Sequence, residues 1–165
     1  MKTLIVVDMQ NDFITGSLGS KEAEKIIPYV KELVENFEGE VIFTRDTHGD
    51  DYLETSEGKK LPVEHCIKGT HGWEICDELK PFAKTVIDKE TFGSMHLPMA
   101  IDSSSREIEL CGLCTDICVI SNAMIVKASY PEKIIKIHEN GCAGVTPESH
   151  KNALSAMQAV QIEIV

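Results

Sequence analysis

The chain has 165 residues, 42% of them hydrophobic and 26% charged. That is the make-up of one globular domain with a substantial core, and it excludes a disordered or fibrous chain. Sixteen Lys and Arg against 27 Asp and Glu leave a formal net charge of −11, which repels nucleic-acid backbones and anionic membrane surfaces alike.

No apolar run approaches the roughly 18 residues that a bilayer crossing requires. The start, Met1-Lys2-Thr3-Leu4, passes straight into a strand-like stretch, without the apolar block and cleavage site of a secretory leader. A cytoplasmic setting is therefore expected. There the six cysteines, at 66, 76, 111, 114, 118 and 142, stay reduced and serve packing, metal binding or catalysis rather than disulfides.

Residues 3–7 form a β-branched run that predicts a buried strand. Residues 23–37 place Ile26, Ile27, Val30, Leu33, Val34 and Phe37 on one helical face. A second strand is expected at 40–44, followed by a long Gly-, Asp-, Glu- and Lys-rich loop over 45–72, which reads as functional rather than as a linker. A short helix over 72–79 precedes Pro81, and strands follow at 85–88 and 108–112. The nearly all-apolar 116–128 predicts a buried helix, and 133–137 a fifth strand. Thr146-Pro147-Glu148 supplies an N-cap, a first-position proline and an early acid, opening a helix to about 157, and 161–164 closes the set as a sixth strand. Strand–helix alternation with continuous apolar strands predicts an α/β domain: a Rossmann-like three-layer α/β/α sandwich around a central six-stranded parallel sheet. No internal repeat or linker divides residues 1–165.

In open parallel sheets the ligands lie beyond the carboxyl ends of the strands. The residues just past each predicted strand are Asp8; Arg45, Asp46 and His48; Lys89; and Gly112-Leu113-Cys114-Thr115-Asp116-Ile117-Cys118. Cys118 falls in the first turn of a predicted helix. Backbone N–H groups there, and a nearby Lys89 ammonium, would lower a thiol's pKa. Asp8 could take the thiol proton and later pass it to a leaving amine. A lone cysteine is more often a small buried hydrophobe, and it is the placement of Asp8 and Lys89 on the same rim that favours catalysis. A thiolate metal site on Cys111, Cys114 and Cys118 is disfavoured, because no second cysteine pair accompanies them. Cys66, Cys76, Cys111 and Cys142 are read as packing residues.

Asp46 and His48, two apart in extended backbone, can turn toward one ion, and the loop beyond offers Glu54, Glu57 and His65. Nitrogen plus carboxylate ligands suit Zn²⁺, Mn²⁺ or Fe²⁺. The plain alternative is a solvated acidic loop. His71, His96, His138 and His150 are read as structural or exposed, and Trp73 as packing.

Val6-Val7-Asp8-Met9-Gln10-Asn11-Asp12-Phe13, then Asp88-Lys89-Glu90-Thr91-Phe92-Gly93-Ser94, then Cys111 to Val119 resemble, in order and over the whole chain, the isochorismatase-like cysteine hydrolases. The nicotinamidase/pyrazinamidase branch is the most similar. The resemblance implies a single hydrolase domain over 1–165 with an Asp8–Lys89–Cys118 triad that cleaves a small carboxamide, nicotinamide foremost, through a Cys118 thioester. It also implies a non-proline cis peptide at Leu113–Cys114, and an oxyanion hole made by the backbone N–H groups of Cys114 and Cys118. It implies a divalent ion, zinc before manganese or iron, on Asp46, His48 and His65, with Glu57 as fourth ligand and Glu54 as second choice. It further implies a homo-oligomer, dimer or tetramer.

The substrate pocket is expected at Phe13, Leu61 and Leu113. Phe13 matches the ring-stacking Phe of that branch, whereas Leu61 stands where those enzymes usually carry Trp. The pocket is therefore expected to suit a differently shaped amide. Two alternatives are an N-carbamoyl or ureido substrate, anchored by Arg45 or Arg106, and a non-catalytic metal- or ligand-binding homologue.

Overall fold

The computed structural model describes all 165 residues. Six strands, β1 (Lys2–Val7), β2 (Glu40–Asp46), β3 (Val86–Lys89), β4 (Glu107–Leu113), β5 (Ile134–Ala143) and β6 (Glu163–Ile164), form one sheet in the order β3-β2-β1-β4-β5-β6. Every neighbouring pair is parallel. The helices are α1 (Asn11–Ile14), α2 (Lys21–Asn36), α3 (Leu97–Ala100), α4 (Ile120–Ser129) and α5 (Pro147–Ala159).

β1 sits at the centre of the sheet, which is why Leu4, Ile5, Val6 and Val7 are all fully buried. A strand covered on both faces must be apolar on both. α2 packs over β4 and β5, while α4 and α5 pack together against β5 and β6. The local signals act as expected. Ser20 caps α2 by accepting from the Ala23 N–H at 3.0 Å, and Thr146 and Ser149 exchange hydrogen bonds across the first turn of α5. Ala23, Ile26, Val30 and Val34 form the buried stripe of α2.

Three expectations need correction. Residues 72–79 are not helical. Ile75 bridges Gln10 in antiparallel fashion and the Cys76 N–H donates to Met9 O at 3.0 Å, so the segment is spent on pinning the loop after β1. A 3-10 turn forms only at Lys80–Phe82. The apolar helix near 116–128 starts as a π-helical turn, Thr115–Val119, and then becomes α4, which buries only Asn122, Ala123 and Val126. Finally, β5 runs on to Ala143 through a bulge. Leu110 pairs with Ile137 and Gly112 with Cys142, so β5 spends four residues where β4 spends one. Sequence periodicity cannot anticipate such an interruption.

From β1 the chain builds outward to β2 and β3, then crosses to the other side of β1 for β4, β5 and β6. The order therefore reverses between β1 and β4, and their carboxyl ends flank the crevice where doubly wound sheets bind ligands. β4 approaches β1 closely at Gly112, which has φ +118° and leaves no room for a Cβ against the Val7 carbonyl. Gly112→Ala is expected to destabilise the domain by at least about 2 kcal/mol, read as a lower urea midpoint at unchanged m.

Candidate active site and metal centre

Three side chains from three strand ends meet at this crevice. Asp8, directly after β1, has a left-handed backbone (φ +48°), an arrangement Asp tolerates better than most residues. Lys89 closes β3, and Cys118 lies in the π turn after β4. All three are buried, with exposures of 0%, 4% and 5%. The Lys89 Nζ lies 2.6 Å from Asp8 Oδ2 and 3.5 Å from Cys118 Sγ. It also donates to Asp46 Oδ1 at 3.2 Å and to the Thr91 carbonyl at 3.1 Å. The other Asp8 oxygen accepts from the Thr44 hydroxyl at 2.7 Å.

Burial raises the Asp8 carboxyl above the ordinary carboxylate range, with Lys89 opposing. Burial would lower the Lys89 ammonium, but Asp8, Cys118 and Asp46 outweigh it and hold the group protonated. Burial, and then the Asp8 charge, push the Cys118 thiol well up, with Lys89 alone pulling the other way. The sequence reading that a helix start and Lys89 lower this thiol's pKa is thus corrected: desolvation and adjacent carboxylate charge win. Enclosure beside Asp8 thus favours the protonated thiol.

The Cys118 turn is held from two sides. The Leu113–Cys114 peptide is cis, as the resemblance implied, and Cys114 O accepts from the N–H groups of Ile117 and Val119, each at 3.1 Å. The fully buried Asn122 donates to Cys118 O at 2.8 Å and to Phe92 O at 3.2 Å, and accepts from the Ser94 N–H at 2.9 Å. It joins the turn to the loop that follows Lys89. Sequence reading missed Asn122, although a lone amide in an apolar helix, one turn after Cys118, was a signal. It also missed Gln10, fully buried, which grips both the N–H and the C=O of Asp46 at 2.7 and 2.8 Å.

A second cluster adjoins the first. One ligand atom each from Asp46, His48, Glu57 and His65 lie within 4.8 Å of one another. His48 Nε2 is 2.8 Å from Asp46 Oδ2 and 3.8 Å from Glu57 Oε1, and His65 Nε2 is 3.6 Å from each of those oxygens. The Nδ1 of His65 is 2.8 Å from Val63 O, which leaves Nε2 to face the cluster. The ring of Tyr52 packs against both imidazoles, 4.7 Å from His48 and 4.9 Å from His65 between centroids. Asp12 Oδ2 accepts from the Cys66 N–H at 2.7 Å and fixes the backbone next to His65. Glu54, exposed, ends the 3-10 turn Tyr52–Glu54 and lies outside the cluster. Two imidazoles and two carboxylates, mostly buried, suit a zinc-like divalent ion. Asp46 serves both clusters, one oxygen toward Lys89 and the other toward His48.

Of the expected pocket residues, Phe13 is half-buried with its ring 5.5 Å from His65, Leu61 is exposed, and Leu113 is in the core. Trp73, read from sequence as a packing residue on a short helix, is half-buried in a turn and outside the hydrophobic core. Arg45 stacks 3.4 Å over its ring, and its indole N–H donates to the Thr47 hydroxyl at 2.8 Å. Arg45 is also held by Asp88 at 2.7 Å, and Arg106 precedes β4 at the opposite end of the sheet.

A doubly wound α/β domain with a carboxylate, an ammonium and a thiol in contact at its switch point defines a class of hydrolytic site. The chain belongs to the isochorismatase family, whose Isochorismatase domain model matches residues 2–165. An uncharacterized isochorismatase family protein, PncA of Bacillus subtilis, is 30% identical over 93% of this chain and 92% of its own length. The crystal structure of nicotinamidase PncA from B. subtilis superposes with a TM-score of 0.81 at 32% identity, covering 99% of this chain and 98% of that one. The pyrazinamidase of Pyrococcus horikoshii, solved in complex with zinc, superposes with a TM-score of 0.84 at 26% identity, covering 99% and 98%.

One zinc-like ion per chain is expected in elemental analysis after metal loading and dialysis. Glu57→Gln should weaken its retention by about tenfold or more, while Glu54→Gln leaves it unchanged. The reverse ranking would move the fourth ligand to Glu54.

Proposed function

We propose that this domain hydrolyses a small carboxamide, nicotinamide before others, to the carboxylic acid and ammonia through a thioester on Cys118. The observation that carries the reading is the single Lys89 ammonium in contact with both Asp8 and Cys118. The nicotinamidase and pyrazinamidase relatives supply the substrate class.

As the Cys118 sulfur attacks the amide carbon, its proton passes to Asp8. Lys89 holds the departing proton's carboxylate in place and stabilises the sulfur's developing charge. The carbonyl oxygen gains negative charge and accepts from the backbone N–H groups of Cys114 and Cys118. The C–N bond breaks as Asp8 returns the proton to nitrogen, releasing ammonia. Water then attacks the thioester, giving its proton to Asp8, and the C–S bond breaks with the sulfur reprotonated from Asp8. A raised Asp8 pKa suits both directions of this transfer.

The metal ligands would be Asp46, His48, Glu57 and His65, and an ion held there supplies a Lewis-acid contact for a ring nitrogen of the substrate. Phe13 would pack on the ring. The N-carbamoyl and ureido acids lose support, because Arg45 is committed to Asp88 and Trp73 and Arg106 lies at the far end of the sheet.

Ammonia release from nicotinamide should be measurable in wild type and fall by about 10³-fold or more in Cys118→Ala. Undiminished release in that variant would remove the thioester route. Asp8 must be unprotonated to accept the thiol proton, so kcat/KM should rise with pH through an acid limb. Burial places that limb above the ordinary aspartate value of about 3.9. A limb below it would show that Asp8 is not the base.

A further inference from the structure

α4 buries only Asn122, Ala123 and Val126, and the first of these is an amide with no exposure at all. A buried amide costs free energy unless its donors and its acceptor are met. Those of Asn122 all go to the backbone of the two segments that carry the site. Its Nδ2 donates to Cys118 O at 2.8 Å and to Phe92 O at 3.2 Å, and its Oδ1 accepts from the Ser94 N–H at 2.9 Å. Cys118 lies one turn back along the chain, whereas Phe92 and Ser94 belong to the loop that leaves β3 after Lys89.

The same loop reaches back to the ammonium. Lys89 Nζ has three N–H groups to give, and they meet Asp8 Oδ2, Asp46 Oδ1 and Thr91 O, with Cys118 Sγ against the same nitrogen at 3.5 Å. Thr91 directly precedes Phe92. A closed circuit therefore runs from Nζ through Thr91 O and Phe92 O to Asn122, and from Asn122 through Cys118 O back to the sulfur beside Nζ. Apart from the bonds that start α3, residues 91–96 make no hydrogen bond outside the loop except to Lys89 and Asn122. Packing closes the same seam. A Cβ at Gly93 would lie 2.7 Å from Ile125 Cδ1 and 3.2 Å from Ser121 Cβ, so the loop lies directly on α4.

We propose that Asn122 is a positioning residue for the hydrolysis: it locks the loop after Lys89 to the Cys118 turn and so fixes the ammonium against the sulfur. The inference rests on the thioester reading above. A cation held in place needs no reorganisation as charge develops on sulfur, and a small displacement of such a group costs rate rather than binding. Asn122 touches no reacting atom, so its loss belongs in kcat and leaves KM alone. A hydroxyl at position 122 can do half the task. Threonine in a helix bonds the carbonyl four residues back, which here is Cys118 O, but it is too short to hold Phe92 O and the Ser94 N–H as well.

The test compares Asn122→Ala and Asn122→Thr with wild type in two assays. For nicotinamide, kcat should fall about 100-fold in Asn122→Ala and about tenfold in Asn122→Thr, with KM within about twofold of wild type. Alkylation of Cys118 by iodoacetamide at neutral pH, read by peptide mass spectrometry, needs no substrate. It should slow by about tenfold in Asn122→Ala, because a thiolate without its ammonium is rarer, and Asn122→Thr should fall between. An amide that merely fills the core gives the opposite sign: a looser turn uncovers Cys118 and alkylation speeds up. That result, a rise in KM at unchanged kcat, or an Asn122→Thr protein as impaired as Asn122→Ala would each overturn the proposal. If Asn122→Ala does not fold, Asn122→Thr against wild type carries both readouts. If wild type releases no ammonia from nicotinamide, the substrate reading alone fails, and the alkylation rates still decide the role of Asn122.

Discussion

One buried ammonium organises the carboxyl rim of this domain. Lys89 Nζ contacts two carboxylates, a carbonyl and a sulfur, from residues 8, 46, 91 and 118. Each carboxylate, buried alone, would shed its charge or exclude its neighbour. Around the shared cation, Asp8 can serve the thiol while Asp46 serves the imidazoles. Removing one member of a buried ion cluster typically costs about 3–5 kcal/mol, because it leaves the others uncompensated. The Asp8–Lys89–Cys118 group and the Asp46–His48–Glu57–His65 cluster are therefore parts of one electrostatic unit joined through Asp46, and Gln10 holds that joint by gripping the Asp46 backbone.

The sheet makes this convergence possible without long-range design in any single segment. Parallel strands end on the same side, so β1, β2, β3 and β4 deliver Asp8, Asp46, Lys89 and the Cys118 turn to one rim. The order reverses between β1 and β4, which leaves the Cys118 turn and Asp8 on either side of the switch-point crevice. Gly112 allows those strands to approach, and Asn122 ties the turn to the loop beyond Lys89.

Much of this was legible from residue order. β-branched runs located the strands, parallel topology implied a shared rim, and the three motifs pointed to Asp8, Lys89 and Cys118. The Asp46–His48 spacing and His65 indicated the candidate metal cluster, and Glu57 rather than Glu54 stands with them, a distinction that spacing alone did not make. What stayed hidden depends on tertiary contacts. Segment 72–79 has helical spacing but is captured by a bridge to Gln10. The β5 bulge has no periodicity. The thiol's pKa was read from the helix start and Lys89, whereas full enclosure beside Asp8 decides it. Glu107 and Glu109 went unremarked because a charged residue inside a strand pattern resembles an edge until the sheet order is known.

The central claim is that the enclosed thiol of Cys118 becomes acylated with Asp8 carrying its proton. Acid-quenching the enzyme during turnover of nicotinamide, followed by peptide mass spectrometry, tests it most directly. The account predicts a nicotinoyl adduct on the peptide containing Cys118, accumulating in wild type and absent in Asp8→Asn. Turnover with no adduct on that peptide under conditions that preserve thioesters, or an adduct on another residue, would contradict it.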